Sequence, residues 1–170
     1  MSTTHATSTK LQQLTCSTRF SLATIAYRPQ EAAMDQYKVR DWMTTNPVTI
    51  TPQTSLAEAH RIMKQKRVRR LPVLENGKLV GIVALSDVLE AEPSSATTLS
   101  IYEINYLLAE MKVEKIMKRN VITVTPDTPI REAANLMLTH KIGGLPVVEN
   151  GKLVGIITES DIFRMIVRTM

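Results

Sequence analysis

ENGKLVGI occupies residues 75–82, and the same ENGKLVGI returns at residues 149–156. The match extends without a gap from Met43–Leu89 onto Met117–Phe163, with 22 identities in 47 positions at a constant offset of 74. Such a period marks a duplicated supersecondary unit. A unit of about 60 residues buries only ~60% of the surface its unfolded chain exposes. Each copy alone therefore makes a poor core, and the two copies are expected to pack on each other as one body.

Part of the octapeptide identity is turn chemistry. Asn76-Gly77 and Asn150-Gly151 each lie between two β-rich runs. Asn-Gly favours a two-residue hairpin because both turn residues need positive φ. Working outward, VTIT (48–51) and ITVT (122–125) alternate like short strands ended by Pro52 and Pro126. Thr128 followed by Pro129 predicts a helix start with Thr128 as its cap, and alignment carries that role to Thr54. Leu56, Ala59 and Met63 fall at helical spacing, as do Ile130, Ala133 and Met137, so each helix should bury one apolar stripe. Ser86-Asp87 and Ser160-Asp161 stand where the second hairpin strand gives way to another helix, with either residue available as its cap. Each unit thus reads strand, helix, hairpin, helix. The expected division is an extension over 1–35, unit 1 over 38–92, a linker over 93–112 and unit 2 over 113–168. Apolar residues at 101, 104, 108 and 111 predict an amphipathic helix within the linker.

Composition narrows the functional classes. With 44% hydrophobic and 22% charged residues the chain reads as globular and soluble, and no apolar run approaches the ~20 residues of a membrane span. Cys16 is the only cysteine and lies outside the repeats, which excludes a disulfide framework or a CxxC metal site within them. A cytoplasmic location is expected. The net charge of +5 owes much to residues 1–30, which hold three bases and no acid. That Ser/Thr-rich segment reads as disordered. It is open to two readings: an organellar targeting peptide, or upstream sequence with Met34 as the true first residue.

The TP before the first helix, the LPV opening the hairpin and GIITESD closing it (155–161) resemble the cystathionine-β-synthase-type (CBS) domain. Two in tandem over residues 38–168 resemble the Bateman module, and a stand-alone pair resembles small bacterial proteins of that family. The resemblance implies an α+β fold: two β-α-β-β-α units packed sheet to sheet about a pseudo-twofold axis, often dimerised again. It also implies an adenosine ligand (AMP, ATP or S-adenosylmethionine) in clefts between the units, serving regulation rather than catalysis.

The closing motif has chemistry suited to that ligand. Gly155 lacks a Cβ and would let a ligand approach the backbone. The helix start just beyond favours a phosphate, Thr158 and Ser160 add hydroxyls, and the Asp161 carboxylate can accept both hydroxyls of a ribose. The plainer alternative is that Ser160 and Asp161 only cap a helix. In the family each cleft is composite. By motif position the Asp161 cleft takes its walls from Val48, Thr49, Val68 and Arg69, while the Asp87 cleft joins Ile122, Thr123, Ile142 and Gly143 to Ser86 and Asp87. The copies then diverge: Ala84 stands in place of Thr158, and Gly143-Gly144 in place of Arg69-Arg70. Both changes should strip phosphate donors from the Asp87 cleft. The expectation is an Asp161 cleft that binds a phosphorylated adenosine, with Arg69 or Arg70 on its phosphate. The Asp87 cleft should bind weakly, take a less charged compound, or stay empty.

RIMKQKRVRR (61–70) holds six bases where its counterpart NLMLTHKIGG holds one and a histidine. It reads as a solvated helix face, with a share in phosphate handling because Arg suits bidentate phosphate contact. Nucleic acid is disfavoured, since aromatics total only 4% and supply no stacking platform. His60 and His140 stand alone on helices, His5 lies in the extension, and Asp87 and Asp161 belong to separate clefts, so no catalytic or metal-binding set is read. Two functions remain: a nucleotide-binding regulatory module acting on an unidentified effector, and a ligand-independent assembly protein using the pair to form a homodimer.

Overall fold

The computed structural model describes residues 36–91, 100, 102, 103, 106 and 110–169. The expected extension over 1–35 and most of the residues predicted to form the linker helix fall outside these. Tyr102, Glu103, Tyr106 and Glu110 are helical and exposed, while positions 101, 104 and 108 of the predicted stripe lie outside the described residues.

The chain forms α1 (Val39–Trp42), β1 (Thr44–Thr45), α2 (Leu56–Lys66), β2 (Arg70–Glu75), β3 (Lys78–Ala84) and α3 (Leu85–Ala91). A 3-10 turn (Val113–Lys115), α4 (Ile130–His140), β4 (Gly144–Glu149), β5 (Lys152–Thr158) and α5 (Glu159–Thr169) complete the second half. Both hairpins turn at Asn-Gly with positive φ, near 50° at Asn and 76° at Gly. Leu56, Ala59 and Met63 of α2 and Ile130, Ala133 and Met137 of α4 are buried. The helical stripes are core, as their spacing predicts. The VTIT and ITVT segments are shorter than expected: each reaches its sheet through a single parallel bridge, Ile50 to Val73 and Val124 to Val147.

The helices start one residue later than the Thr-Pro pattern predicts, and the caps differ. Thr54 and Thr128 do not cap; their hydroxyls accept from the Thr51 and Thr125 amides at 3.2 and 3.0 Å and close a turn. Ser55 caps α2 by accepting from the Glu58 amide, whereas Pro129 at the equivalent site makes no side-chain cap. A distant backbone supplies what the local sequence lacks. Leu56 N–H donates to the Met111 carbonyl at 2.9 Å and Ile130 N–H to the Tyr37 carbonyl at 3.0 Å.

Those two bonds belong to a reciprocal exchange. Residues 37–45, which precede copy one, dock on copy two: Val39 and Arg40 donate to the Thr128 and Pro126 carbonyls, and β1 pairs with β5. Residues 111–118, which precede copy two, dock on copy one through Val113 to Thr54, Glu114 to Pro52 and the Lys118–Ile82 bridge. Lys38 bridges Pro129 just as its counterpart Lys112 bridges Ser55. Contacts that map onto each other under the 74-residue offset are the signature of the expected pseudo-twofold axis. One sheet runs β1-β5-β4, the other β2-β3, and they meet through β3 and β5. Each sheet has its own apolar core, centred on Ile130, Leu145 and Ile157 in one and on Met63, Leu71 and Val83 in the other.

Candidate functional site

Where β5 runs into α5, Asp161 is the third helical residue and only 3% exposed. Its Oδ2 accepts from the Thr158 amide at 2.9 Å and the Thr158 hydroxyl at 2.7 Å. This is the reach-back half of a capping box, which ties down the residue just before the helix. Its Oδ1 accepts from Arg164 Nη1 at 2.6 Å, one turn along α5. The capping alternative therefore describes Oδ2, while Oδ1 faces a half-exposed arginine.

Above this rim lies a cavity of about 420 Å³. Copy two contributes Ile156, Thr158, Ser160, Asp161 and Arg164. Copy one contributes Thr44, Asn46, Pro47, Val48, Arg67, Val68, Arg69 and Arg70. The composite cleft thus brings together most of the expected residues. Four arginines converge on it, three of them from the end of the basic stretch.

The pseudo-symmetric cleft measures about 170 Å³ and joins Ser86 and Asp87 to Ile122, Ile142 and Gly143 as expected. Asp87 Oδ2 accepts from the Ala84 amide at 2.8 Å, and Lys118 Nζ lies 3.1 Å from its Oδ1. The expected loss of basic groups here is corrected by the structure: Lys118, Lys141 and Arg70 all line this cleft. Arg70 reaches it from copy one across the two glycines of copy two. A Cβ on Gly143 would collide with the Arg70 guanidinium and the Glu159 carboxylate, and one on Gly144 would lie 3.1 Å from Arg70 Cδ. The Arg-Arg and Gly-Gly divergence is therefore one feature, in which the glycines form the trench that holds the arginine. Burial there pulls the Arg70 pKa below its ordinary value, with Glu159 the main opposing influence.

Three other expected site residues are placed differently. Gly155 does not line the cavity. A Cβ there would sit 2.6 Å from Met43 Sδ and 3.1 Å from the Thr44 carbonyl, so its bareness admits the docked segment rather than a ligand. Gly81 does the same for Met117. Thr49 and Thr123 are exposed and outside the two linings, which use Val48 and Ile122 instead. Sequence reasoning missed Arg164, whose signal is an i+3 spacing from Asp161, and Arg67, hidden within a charge run. Among the described residues no group of three or more His, Cys, Asp or Glu is placed to hold a metal ion, and no helix is long and apolar enough to cross a membrane.

Two composite clefts between duplicated units, each carrying a helix, a β-hairpin and a closing helix, define a tandem pair of cleft-forming domains. The CBS domain model matches residues 39–94 and 113–168, and the chain belongs to the CBS-domain family. It is 36% identical over 132 residues to protein MJ1225 of Methanocaldococcus jannaschii, covering 74% of this chain and 46% of that one. The chain spans less than half the length of several curated relatives it matches. Among solved structures, it superposes on CBSX2 in complex with AMP with a TM-score of 0.65 at 31% identity, covering 78% of this chain and 98% of that chain. The CBS pair of protein MJ0100, in complex with 5′-methylthioadenosine and S-adenosyl-L-methionine, matches with a TM-score of 0.66 at 31% identity, covering 79% and 98%.

Proposed function

We propose that the chain is a regulatory module that binds a phosphorylated adenosine in the Asp161 cleft and passes the ligand state to a partner protein. The observation that carries this reading is the composite 420 Å³ cavity with Asp161, Thr158 and Ser160 on one wall and Arg67, Arg69 and Arg70 on the other. Small-molecule sites span roughly 300–1,000 Å³, so this cavity is large enough and the 170 Å³ one falls short. The ribose hydroxyls would take Asp161 Oδ1 from Arg164, freeing that guanidinium for the phosphate, while Oδ2 keeps its helix-start bonds. The AMP, methylthioadenosine and S-adenosylmethionine named for the matched structures support the adenosyl class.

A ligand that touches both units shifts their relative orientation wherever it contacts the two arrangements differently. No catalytic step is assigned. Leu89 on α3 and Phe163 on α5 occupy equivalent positions and are exposed, with Val167 one turn beyond. These faces suit a second copy of the chain or an effector, and they also favour the second reading, assembly without a ligand.

Thermal shift separates the readings, because a ligand at 100 times its Kd stabilises by ~2.7 kcal/mol. AMP or ATP should raise Tm, Asp161→Ala should abolish the shift, and Asp87→Ala should reduce it less. No shift with AMP, ATP or S-adenosylmethionine would leave only assembly.

A further inference from the structure

Arg70 lines both cavities. It opens β2 opposite Ala84, at the pseudo-symmetric counterpart of Gly144 opposite Thr158. The trench at Gly143-Gly144 admits the Arg70 side chain together with the Glu159 carboxylate, because neither glycine places a Cβ there. With its guanidinium against Glu159, on the Asp87 side, Arg70 both fills that smaller cleft and supplies part of its positive charge.

We infer that Arg70 is a binding residue shared by the two clefts, and that its position sets the charge class of compound the Asp87 cleft accepts. This rests on the reading of the Asp161 cleft as a phosphorylated-adenosine site. A phosphate there attracts Arg70 out of the trench. The Asp87 cleft then gains room but loses one of its three cations, leaving Lys118, already paired with Asp87, and Lys141 to offset Asp87 and the neighbouring Glu159 carboxylate. A second phosphorylated ligand is disfavoured, and an uncharged nucleoside of the same shape is admitted. A filler without charge would give the two second ligands equal treatment, so the difference between them isolates the electrostatic role.

Isothermal titration of the full chain tests this with AMP and 5′-methylthioadenosine, which share the adenosyl group and differ in the phosphate. AMP should fill one site, with any second AMP weaker by a factor in the ~5- to 150-fold range of site–site coupling. The AMP-saturated protein should still take about one equivalent of methylthioadenosine, and Asp87→Ala should remove that second event. Arg70→Gln should bring the two second ligands to within about threefold of each other. Two AMP sites of equal affinity, or unchanged discrimination in Arg70→Gln, would overturn the shared-arginine inference while leaving the Asp161 site standing. Absence of AMP binding in the wild type overturns both.

Discussion

Arg67 and Lys141 end their helices with φ of 54° and 53°, the left-handed region. A residue with a Cβ pays about 1–2 kcal/mol for that conformation, which glycine adopts freely. Basic side chains near a helix C-terminus recover a part of this from the dipole, and each of these two also lines a cleft. Arg67→Gly should therefore raise stability by about 0.5–1 kcal/mol in urea denaturation. The same change should weaken AMP about tenfold by titration, the size of one charge-assisted hydrogen bond. Unchanged AMP affinity would reduce Arg67 to a helix end. At this scale the sequence was informative where chemistry is local: Thr158, Ser160 and Asp161 stand together in a four-residue run and are together in space. Arg164 escaped notice because its pairing with Asp161 needs the helix to exist first. Arg70 was assigned to one cleft only, since nothing in its own neighbours shows that Gly143-Gly144 lies beneath it.

The octapeptide holds two glycines with unlike duties, and the hairpin and strand elements separate them. Gly77 has φ +76° and no atom within 4 Å of an added Cβ, so Gly77→Ala should cost only the conformational term, about 1 kcal/mol. Gly155 lies inside β5, where an added Cβ meets Met43 and the Thr44 carbonyl. Overpacking of this kind costs about 1–3 kcal/mol, and here it also pushes β1 off its partner. Gly155→Ala should be the more damaging by at least about 1 kcal/mol in chemical denaturation, and a Met43→Ala background should remove much of the excess, since contacting sites couple. Equal costs for the two alanines would mean that β1 contributes nothing. The hairpins, helical stripes and element order were legible because each rests on periodicity or on a two-residue turn. The helix starts were not, because Ile130 and Leu56 take their first backbone bonds from carbonyls more than 50 residues away. Local cap rules have no access to such a partner.

Across the whole molecule, the exchange of segments 37–45 and 111–118 makes each half dependent on the other for its core. Val39 is fully buried in the core of copy two, and Val113 and Met117 are buried in that of copy one. Each such side chain contributes about 1.5–3 kcal/mol, against a total of about 5–15 kcal/mol for a native domain. A chain of residues 113–170 alone gives up Val39, most of the packing around Trp42 and Met43, and the strand beside β5. It should lack a cooperative unfolding transition, and fusing residues 36–45 back to it should restore one. Trp42, the only tryptophan, packs edge-on to Tyr37 with ring centroids 6.3 Å apart and reports on the docked segment directly. In the full chain its fluorescence should change at the same urea concentration as the far-UV circular dichroism, because neither half survives loss of the other's segment. A tryptophan transition that precedes the loss of helix would show the segment to be a removable strap. In that case ligand-driven reorientation of the units would act through the strap rather than through a single interlocked body.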